Sequence, residues 1–306
     1  MSTAHSALPP FEYIRPADLD AASRFLTQHP DDARILAGGT DALTRLRTGG
    51  WGARYLVDVK HLPGMRAVSY DAAGLRIGAA VTLNALIAAP EVHAHAPVLA
   101  EAAAAVAAYP LRNRATLIGN ICNASPGGDL LGPCLALEAE AEIYGPAGER
   151  RASLATFWRG PGQIDLGPGE VVTALRIAPP AGHHAHYRKL GRNSLGDLAI
   201  VGVTALGYPD PTSPSGARFR VALTAVAPTP LRAIEAEALL ASGPLGAAVL
   251  EQAAAAAEAA CRPIDDLRGS ARYRRLMVRR LTLQAVFQVW DELKADADNA
   301  EEARRR

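Results

Sequence analysis

Two stretches of this 306-residue chain carry almost no side-chain bulk: AGGTD at 37–41 and TLIGNICNASPGGD at 116–129. Successive glycine N–H groups can converge on one point and form an anion nest. The missing Cβ lets a phosphate come close, and the Thr40 hydroxyl adds a donor. Taken alone, AGGTD fits a plain turn after a strand better than a phosphate loop. It matches neither the G-x-G-x-x-G dinucleotide pattern nor G-x-x-x-x-G-K-[ST]. Two such loops together point elsewhere, because the diphosphate of a dinucleotide needs donors from more than one side. Thr116, Gly119, Asn120 and Ser125 supply small donors, and Asp129 can accept from a ribose hydroxyl as acids do at other dinucleotide sites. Backbone and hydroxyl groups, rather than lysines, would then neutralise the phosphates.

Mixed strands and helices must position these loops. ARIL (33–36), RYLVDV (54–59) and LRIGAAV (75–81) read as strands rich in branched residues, and EVVTALRI (170–177) alternates as another. DLDAASRFLTQHP reads as a helix with Asp18 as N-cap and Pro30 beyond its end. PVLAEAAAAVAAYP (97–110) reads as one helix bounded by prolines. After a Pro/Gly/His-rich joint near residue 180, LAIVGVTALGY (198–208) and FRVALTAVAP (219–228) read as an antiparallel pair across a polar turn. Two helical stretches, LGAAVLEQAAAAAEAAC and RYRRLMVRRLTLQAVFQVWDELK, follow, and the charged tail ADADNAEEARRR is expected to fray.

The totals restrict the function. With 49% hydrophobic residues the chain can form two or three domains with real cores. A formal net charge of +1 and only 5% aromatics argue against nucleic acid as a partner. No run is apolar enough to span a bilayer, and MSTAHSALPPFEY lacks the features of a signal peptide, so a cytoplasmic protein is expected. The three cysteines, Cys122, Cys134 and Cys261, are odd in number and far apart, unlike a disulfide framework. Cys122 and Cys134 read as buried small hydrophobes.

LAGGTDAL and ATLIGNICNASPGGDLLGP together resemble the two flavin-binding stretches of the FAD subunit of molybdenum hydroxylases, the family of xanthine dehydrogenase, carbon monoxide dehydrogenase and related aldehyde and N-heterocycle dehydrogenases. YRKLGRNSLGDLAIVGV and LRGSARYRR resemble its C-terminal domain. The four motifs occur in the family's order, over about residues 10–290. The resemblance implies an α+β fold: a vanillyl-alcohol-oxidase-like, p-cresol-methylhydroxylase-type FAD-binding domain of two subdomains (1–60 and 61–180), an α+β C-terminal domain (183–290) closing over the flavin ring, and a charged tail (291–306). It implies non-covalent FAD, with Leu36, Ala37, Gly38, Gly39, Thr40, Asp41, Ala42 and Leu43 on one side of the diphosphate. Thr116, Gly119 and Asn120 would bind from the other side, with Ser125 and Thr173 also in the site. Asp129 would hold the adenosine end or a nearby hydroxyl, Lys189 would lie near the flavin, and Leu198 would lie against the isoalloxazine face. Where the family usually carries two glycines, this chain has Ile118-Gly119; since isoleucine resists positive φ, ordinary backbone geometry is expected at 118.

The same resemblance implies an electron-transfer subunit. A large molybdenum–pterin subunit would hydroxylate the substrate, a small subunit would carry [2Fe–2S] clusters, and FAD here would pass electrons to NAD⁺, a quinone or oxygen. A dimer of heterotrimers is expected, with no catalytic acid or base from this chain. Three cysteines cannot supply the four thiolates that an iron–sulfur cluster typically takes. A free-standing flavin oxidase of the same fold is the alternative, but no covalent attachment motif is visible. GHHAH (182–186) reads as an exposed linker rather than a zinc site. Tyr187 and Tyr273 read as packing anchors, and the arginines of YRRLMVRR as partners for acids of another domain or subunit.

Overall fold

The computed structural model describes residues 7–193 and 196–305. Residues 194 and 195, inside the motif YRKLGRNSLGDLAIVGV, lie outside the described residues. Among the described residues three sheets of three or more strands follow one another along the chain, besides a two-stranded pair of Trp158–Gly160 with Gln163–Ile164. The first is a parallel sheet with Tyr55–Asp58 in the centre, between Glu12–Ile14 and Ala33–Leu36. All four residues of the central strand are buried, as expected for a parallel strand covered on both faces. Helix Leu19–Gln28 starts where the sequence places it: the Asp18 carboxylate accepts from the Ala21 N–H at 2.7 Å. Helix Thr40–Arg47 follows the edge strand Ala33–Leu36 after a three-residue turn.

The second sheet is antiparallel, in the order Val68–Asp71, Gly74–Gly78, Val171–Ile177, Glu140–Gly145, Gly148–Ser153. Short helices between residues 83 and 136 pack on it. The third sheet is antiparallel, in the order His184–Leu190, Val201–Pro209, Ala217–Thr224, Leu231–Arg232. It is covered on both faces. Val203, Ala205, Val221 and Leu223 pack on helices Ile234–Ala241, Ala247–Ala260 and Ala271–Arg305. Tyr187, Leu206 and Ala222 instead join the core of the first two sheets. The period-2 alternation of strand side chains thus welds the third sheet to the preceding units.

Three expectations change. The helix read over 97–110 stops at Ala104, and a separate turn of helix spans Tyr109–Arg112. The break is held from outside: Lys189 Nζ donates to the Ala105 carbonyl at 2.9 Å, and Arg112 Nη1 donates to those of Val106 and Ala107. Ala107 takes a positive φ of 44° in the turn. The charged tail continues the 35-residue helix Ala271–Arg305 rather than fraying. GHHAH is no exposed linker: His184 and His186 begin an edge strand and are paired with Glu292, Asp296 and Glu101.

Candidate functional site

The first bare loop is a strand-to-helix turn with its donors free. Gly39 caps helix Thr40–Arg47 at φ 79°, a conformation that costs glycine little. None of the six N–H groups from Ala37 to Ala42 has a hydrogen-bond partner among the described residues, and the first internal bond of the helix is Leu43 N–H to Gly39 O. Unpaired N–H groups at a helix start, reinforced by the helix dipole, form a ready site for a phosphate. Leu36 and Leu46 anchor the turn in a small core with Leu56, and Leu43 packs against it.

The two loops meet. Gly38 lies so close to the Arg114–Ala115 backbone that a Cβ would penetrate the Arg114 carbonyl. Arg45, on the helix leaving the first loop, donates to Asn123 Oδ1 at 2.6 Å, at the end of helix Leu117–Asn123 in the second. Thr116 caps that helix through its hydroxyl, which accepts from Gly119 N–H at 2.9 Å. Trp158 Nε1 fixes the helix from behind by donating to Ile121 O at 3.0 Å. Asn120 Oδ1 is buried without a hydrogen-bond partner among the described residues. A buried amide oxygen in that state is costly unless a ligand donor reaches it. Thr173 lies at a bulge of strand Val171–Ile177, its hydroxyl donating to Glu142 O and its carbonyl accepting from Ala79 N–H.

The second loop ends against the third sheet. Ala225 N–H donates to Pro126 O at 2.6 Å. Asp129 is only 5% exposed; its carboxylate accepts from Tyr187 Oη at 2.6 Å and from Lys189 Nζ at 2.8 Å. Burial pushes the Asp129 carboxyl above its usual range, opposed by the Lys189 ammonium and the two hydrogen bonds. Burial and the neighbouring carboxylate push the Tyr187 phenol well above its usual value. Tyr187 is therefore more than a packing anchor: a buried phenol requires a polar partner, and here it is Asp129. Leu198 is 46% exposed and lines a cavity of roughly 270 Å³ with Ser125, Pro126, Gly127, Pro161 and Arg274. The buried Arg274 holds the far wall through Ile200 O, Ala225 O and Asp266.

The site thus combines a six-donor helix start, a facing turn with an unsatisfied amide, and an adjoining cavity under the third sheet. The family described as "FAD binding domain in molybdopterin dehydrogenase" matches residues 9–180, and "CO dehydrogenase flavoprotein C-terminal domain" matches residues 185–289. The chain belongs to the FAD-binding subunits of the molybdenum hydroxylases. It is 34% identical over 283 residues to the carbon monoxide dehydrogenase medium chain of Hydrogenophaga pseudoflava, covering 92% of this chain and 98% of that one. It is 32% identical to the putative xanthine dehydrogenase FAD-binding subunit XdhB of Escherichia coli (strain K12), covering 90% and 94%. A solved carbon monoxide dehydrogenase from Hydrogenophaga pseudoflava, lacking the Mo-pyranopterin moiety of its cofactor, superposes with a TM-score of 0.89 over 94% of this chain and 99% of that one. Quinoline 2-oxidoreductase from Pseudomonas putida 86 superposes at 0.86 with 30% identity, over 92% and 98%.

Within this family, the departure at Ile118 is absorbed easily. Ile118 and Gly119 lie in a helix, neither has positive φ, and the Ile118 side chain is buried in the core. Cys134 and Cys261 are also buried, and burial pushes the Cys261 thiol up to about 12. Among the described residues no group of three or more His, Cys, Asp or Glu side chains could hold a metal, and no helix is long and apolar enough to cross a membrane. Sequence reading missed Arg114, Arg45, Trp158 and Tyr187. Only Tyr187 left a signal, as a tyrosine on an alternating strand two residues before Lys189.

Proposed function

We propose that this chain is the FAD-carrying electron-transfer subunit of a molybdenum hydroxylase complex, receiving electrons from a [2Fe–2S] subunit and delivering them to NAD⁺, a quinone or oxygen. The observation that carries this reading is the close approach of the first bare loop, at Gly38, to the Arg114–Ala115 backbone that leads into the second. Bound FAD supplies the redox chemistry, accepting two electrons and releasing them to an acceptor. The chain's own groups bind and orient it. The N–H groups of residues 37–42 and the Thr40 hydroxyl take the diphosphate from one side. Asn120 and Ser125 face it from the other, on a turn whose helix Thr116 caps through the Gly119 N–H, with Asn120 Oδ1 accepting a ligand donor. Lys189 and Asp129 neutralise each other next to the cavity, and Leu198 covers one face of the ring.

In this reading residues 1–60 and 61–180 form the two halves of a vanillyl-alcohol-oxidase-like clasp, and 183–290 form its cover, followed by the segment 291–306. The partners are a small iron–sulfur subunit and a large molybdenum–pterin subunit, assembled as a dimer of heterotrimers in the cytoplasm. Exposed Ile264, Leu267, Tyr273 and Leu276, beside Arg272 and Arg275, which make no ion pair among the described residues, support the expectation of a docked partner. The test is a spectrum of the purified chain: flavin absorbance is expected, with FAD released by acid and a colourless pellet. Colour retained in the pellet would favour the free-standing oxidase, and a chain that takes up no added FAD would overturn the reading. Failure to co-purify with iron–sulfur and molybdenum subunits from the native host would overturn the complex.

A further inference from the structure

The strand His184–Leu190 is the edge of the third sheet, hydrogen-bonded on one side only to Val201–Pro209. Its free edge faces helix Pro97–Ala104 of the FAD-binding domain, and one carboxylate there gathers three groups from it. Glu101 accepts the Tyr187 backbone N–H at 3.0 Å and Arg188 Nη1 at 2.9 Å. His186 Nδ1 lies 3.6 Å from the same carboxylate, while His186 Nε2 is 2.8 Å from Glu292 on the C-terminal helix. The alternate residues of the strand, Tyr187 and Lys189, point the other way and hold Asp129 at the end of the second bare loop. The clamp on one side of the strand therefore fixes the height of the groups on the other.

Building on the flavin reading above, we infer that Glu101 and His186 are positioning residues: they fasten the Tyr187–Lys189 strand to the FAD-binding domain, so that Asp129 and the second bare loop are held in register for the cofactor, and His186 makes this hold pH-dependent. The charges facing His186 are Glu101 from helix Pro97–Ala104 and Glu292 from the C-terminal helix. Arg188 and His184 flank it on its own strand. His184 is itself paired with Glu292 and Asp296, and Arg188 with Gln288. Val201–Pro209 presents only Ala205 opposite it. The Glu101 carboxylate, then Glu292, raise the His186 pKa above its usual 6.5 against the opposing effect of burial. Burial tends to raise the Glu101 carboxyl, but His186 and the Tyr187 N–H outweigh it and hold the carboxyl below its usual range. A raised imidazole contributes fully below about pH 6.5 and is lost as pH climbs through its folded value. Arg188 and the Tyr187 N–H keep Glu101 in place after that, so the loss is partial.

The test titrates FAD into the flavin-stripped full chain between pH 6 and 9. Wild-type affinity is expected to fall about two- to fivefold over that range, an effect of the size expected for a partly exposed ion pair. His186→Gln and Glu101→Gln are expected to bind more weakly at pH 6 and to lose the slope. His184→Gln pairs only with the C-terminal helix and is expected to keep the slope. Equal slopes in wild type and His186→Gln, or loss of slope in His184→Gln as well, would overturn the inference. A second readout needs no flavin: hydrogen exchange at the Tyr187 amide, compared at equal pH, is expected to be about tenfold faster in Glu101→Gln, since the lost bond is to a charged acceptor. Unchanged protection would overturn the clamp whether or not FAD binds, whereas a wild-type chain that never binds FAD would sink the flavin reading and leave the clamp to be judged by exchange.

Discussion

The two bare loops have similar compositions and opposite commitments. In the first, the backbone donors of residues 37–42 are unused, and the turn is shaped by what cannot be there: a Cβ at Gly38. In the second, several polar groups are already engaged by the protein. Thr116 caps its own helix, Asn123 accepts from Arg45, Pro126 O accepts from the third sheet, and Asp129 is saturated by Tyr187 and Lys189. Of its buried side-chain oxygens and nitrogens among the described residues, Asn120 Oδ1 alone has no partner. One loop leaves its donors open, and the other joins three units of the chain. Glycine content alone does not separate the two roles; the fate of each donor and acceptor does.

The sharpest way to break this contrast is Gly38→Val. The obstruction is backbone, so no rotamer change relieves it, and the first loop must move away from the second. FAD affinity is expected to drop by at least about 100-fold, equivalent to about 2.8 kcal/mol, while circular dichroism remains that of the folded chain. Flavin titration checks this; wild-type affinity in Gly38→Val would mean that the contact of the loops is irrelevant to binding.

Lys189→Met strikes the joining role. It strands a buried carboxylate, and breaking a buried pair from one side costs about 3–5 kcal/mol. Asp129 already has a raised pKa, and loss of the ammonium raises it further. The folded variant then binds a proton more tightly than the unfolded chain, so its stability falls as pH rises above the usual carboxyl value near 4. Urea midpoints from pH 4 to 8 should show that slope, and Lys189→Met combined with Asp129→Asn should remove it and recover part of the loss. A flat profile in the single variant would show that water reaches Asp129.

Much of this was legible in the sequence, for reasons specific to each element. The bare loops announce themselves by composition, the strands flanking them by branched residues, and helix Leu19–Gln28 by its Asp18 cap, because all these signals are local. The early end of helix Pro97–Ala104 was not legible. Its alanines favour continuation, and the groups that hold the break, Lys189 and Arg112, include one 84 residues away. Asp129 reads as an acceptor for a ribose hydroxyl by likeness to acids at other dinucleotide sites; the protein groups that its carboxylate accepts from lie 58 and 60 residues on. Likewise GHHAH has no acid nearby in sequence, and Glu292 reaches it only through the packing of the C-terminal helix. Folding creates these charge pairs, and no periodicity encodes them.

The smallest effect, and the finest test of the asymmetry, belongs to Gly119→Ala. If both loops gripped the diphosphate in the same way, this glycine would be as indispensable as Gly38. Its surroundings argue otherwise. Gly119 sits inside helix Leu117–Asn123 without positive φ, and an added Cβ would meet only the Thr116 hydroxyl, at 2.8 Å. That oxygen belongs to a side chain and can rotate away, at the cost of the cap it provides, about 1 kcal/mol. Alanine returns up to about 1 kcal/mol through its helix propensity over glycine. The two terms nearly cancel, so stability should stay within about 1 kcal/mol of wild type. FAD affinity should change by no more than about threefold, since Gly119 N–H is engaged by Thr116 rather than offered to a ligand. A loss of binding comparable to that of Gly38→Val would instead place the Gly119 backbone on the diphosphate, and the distinction between a holding loop and a joining loop would fail at that residue.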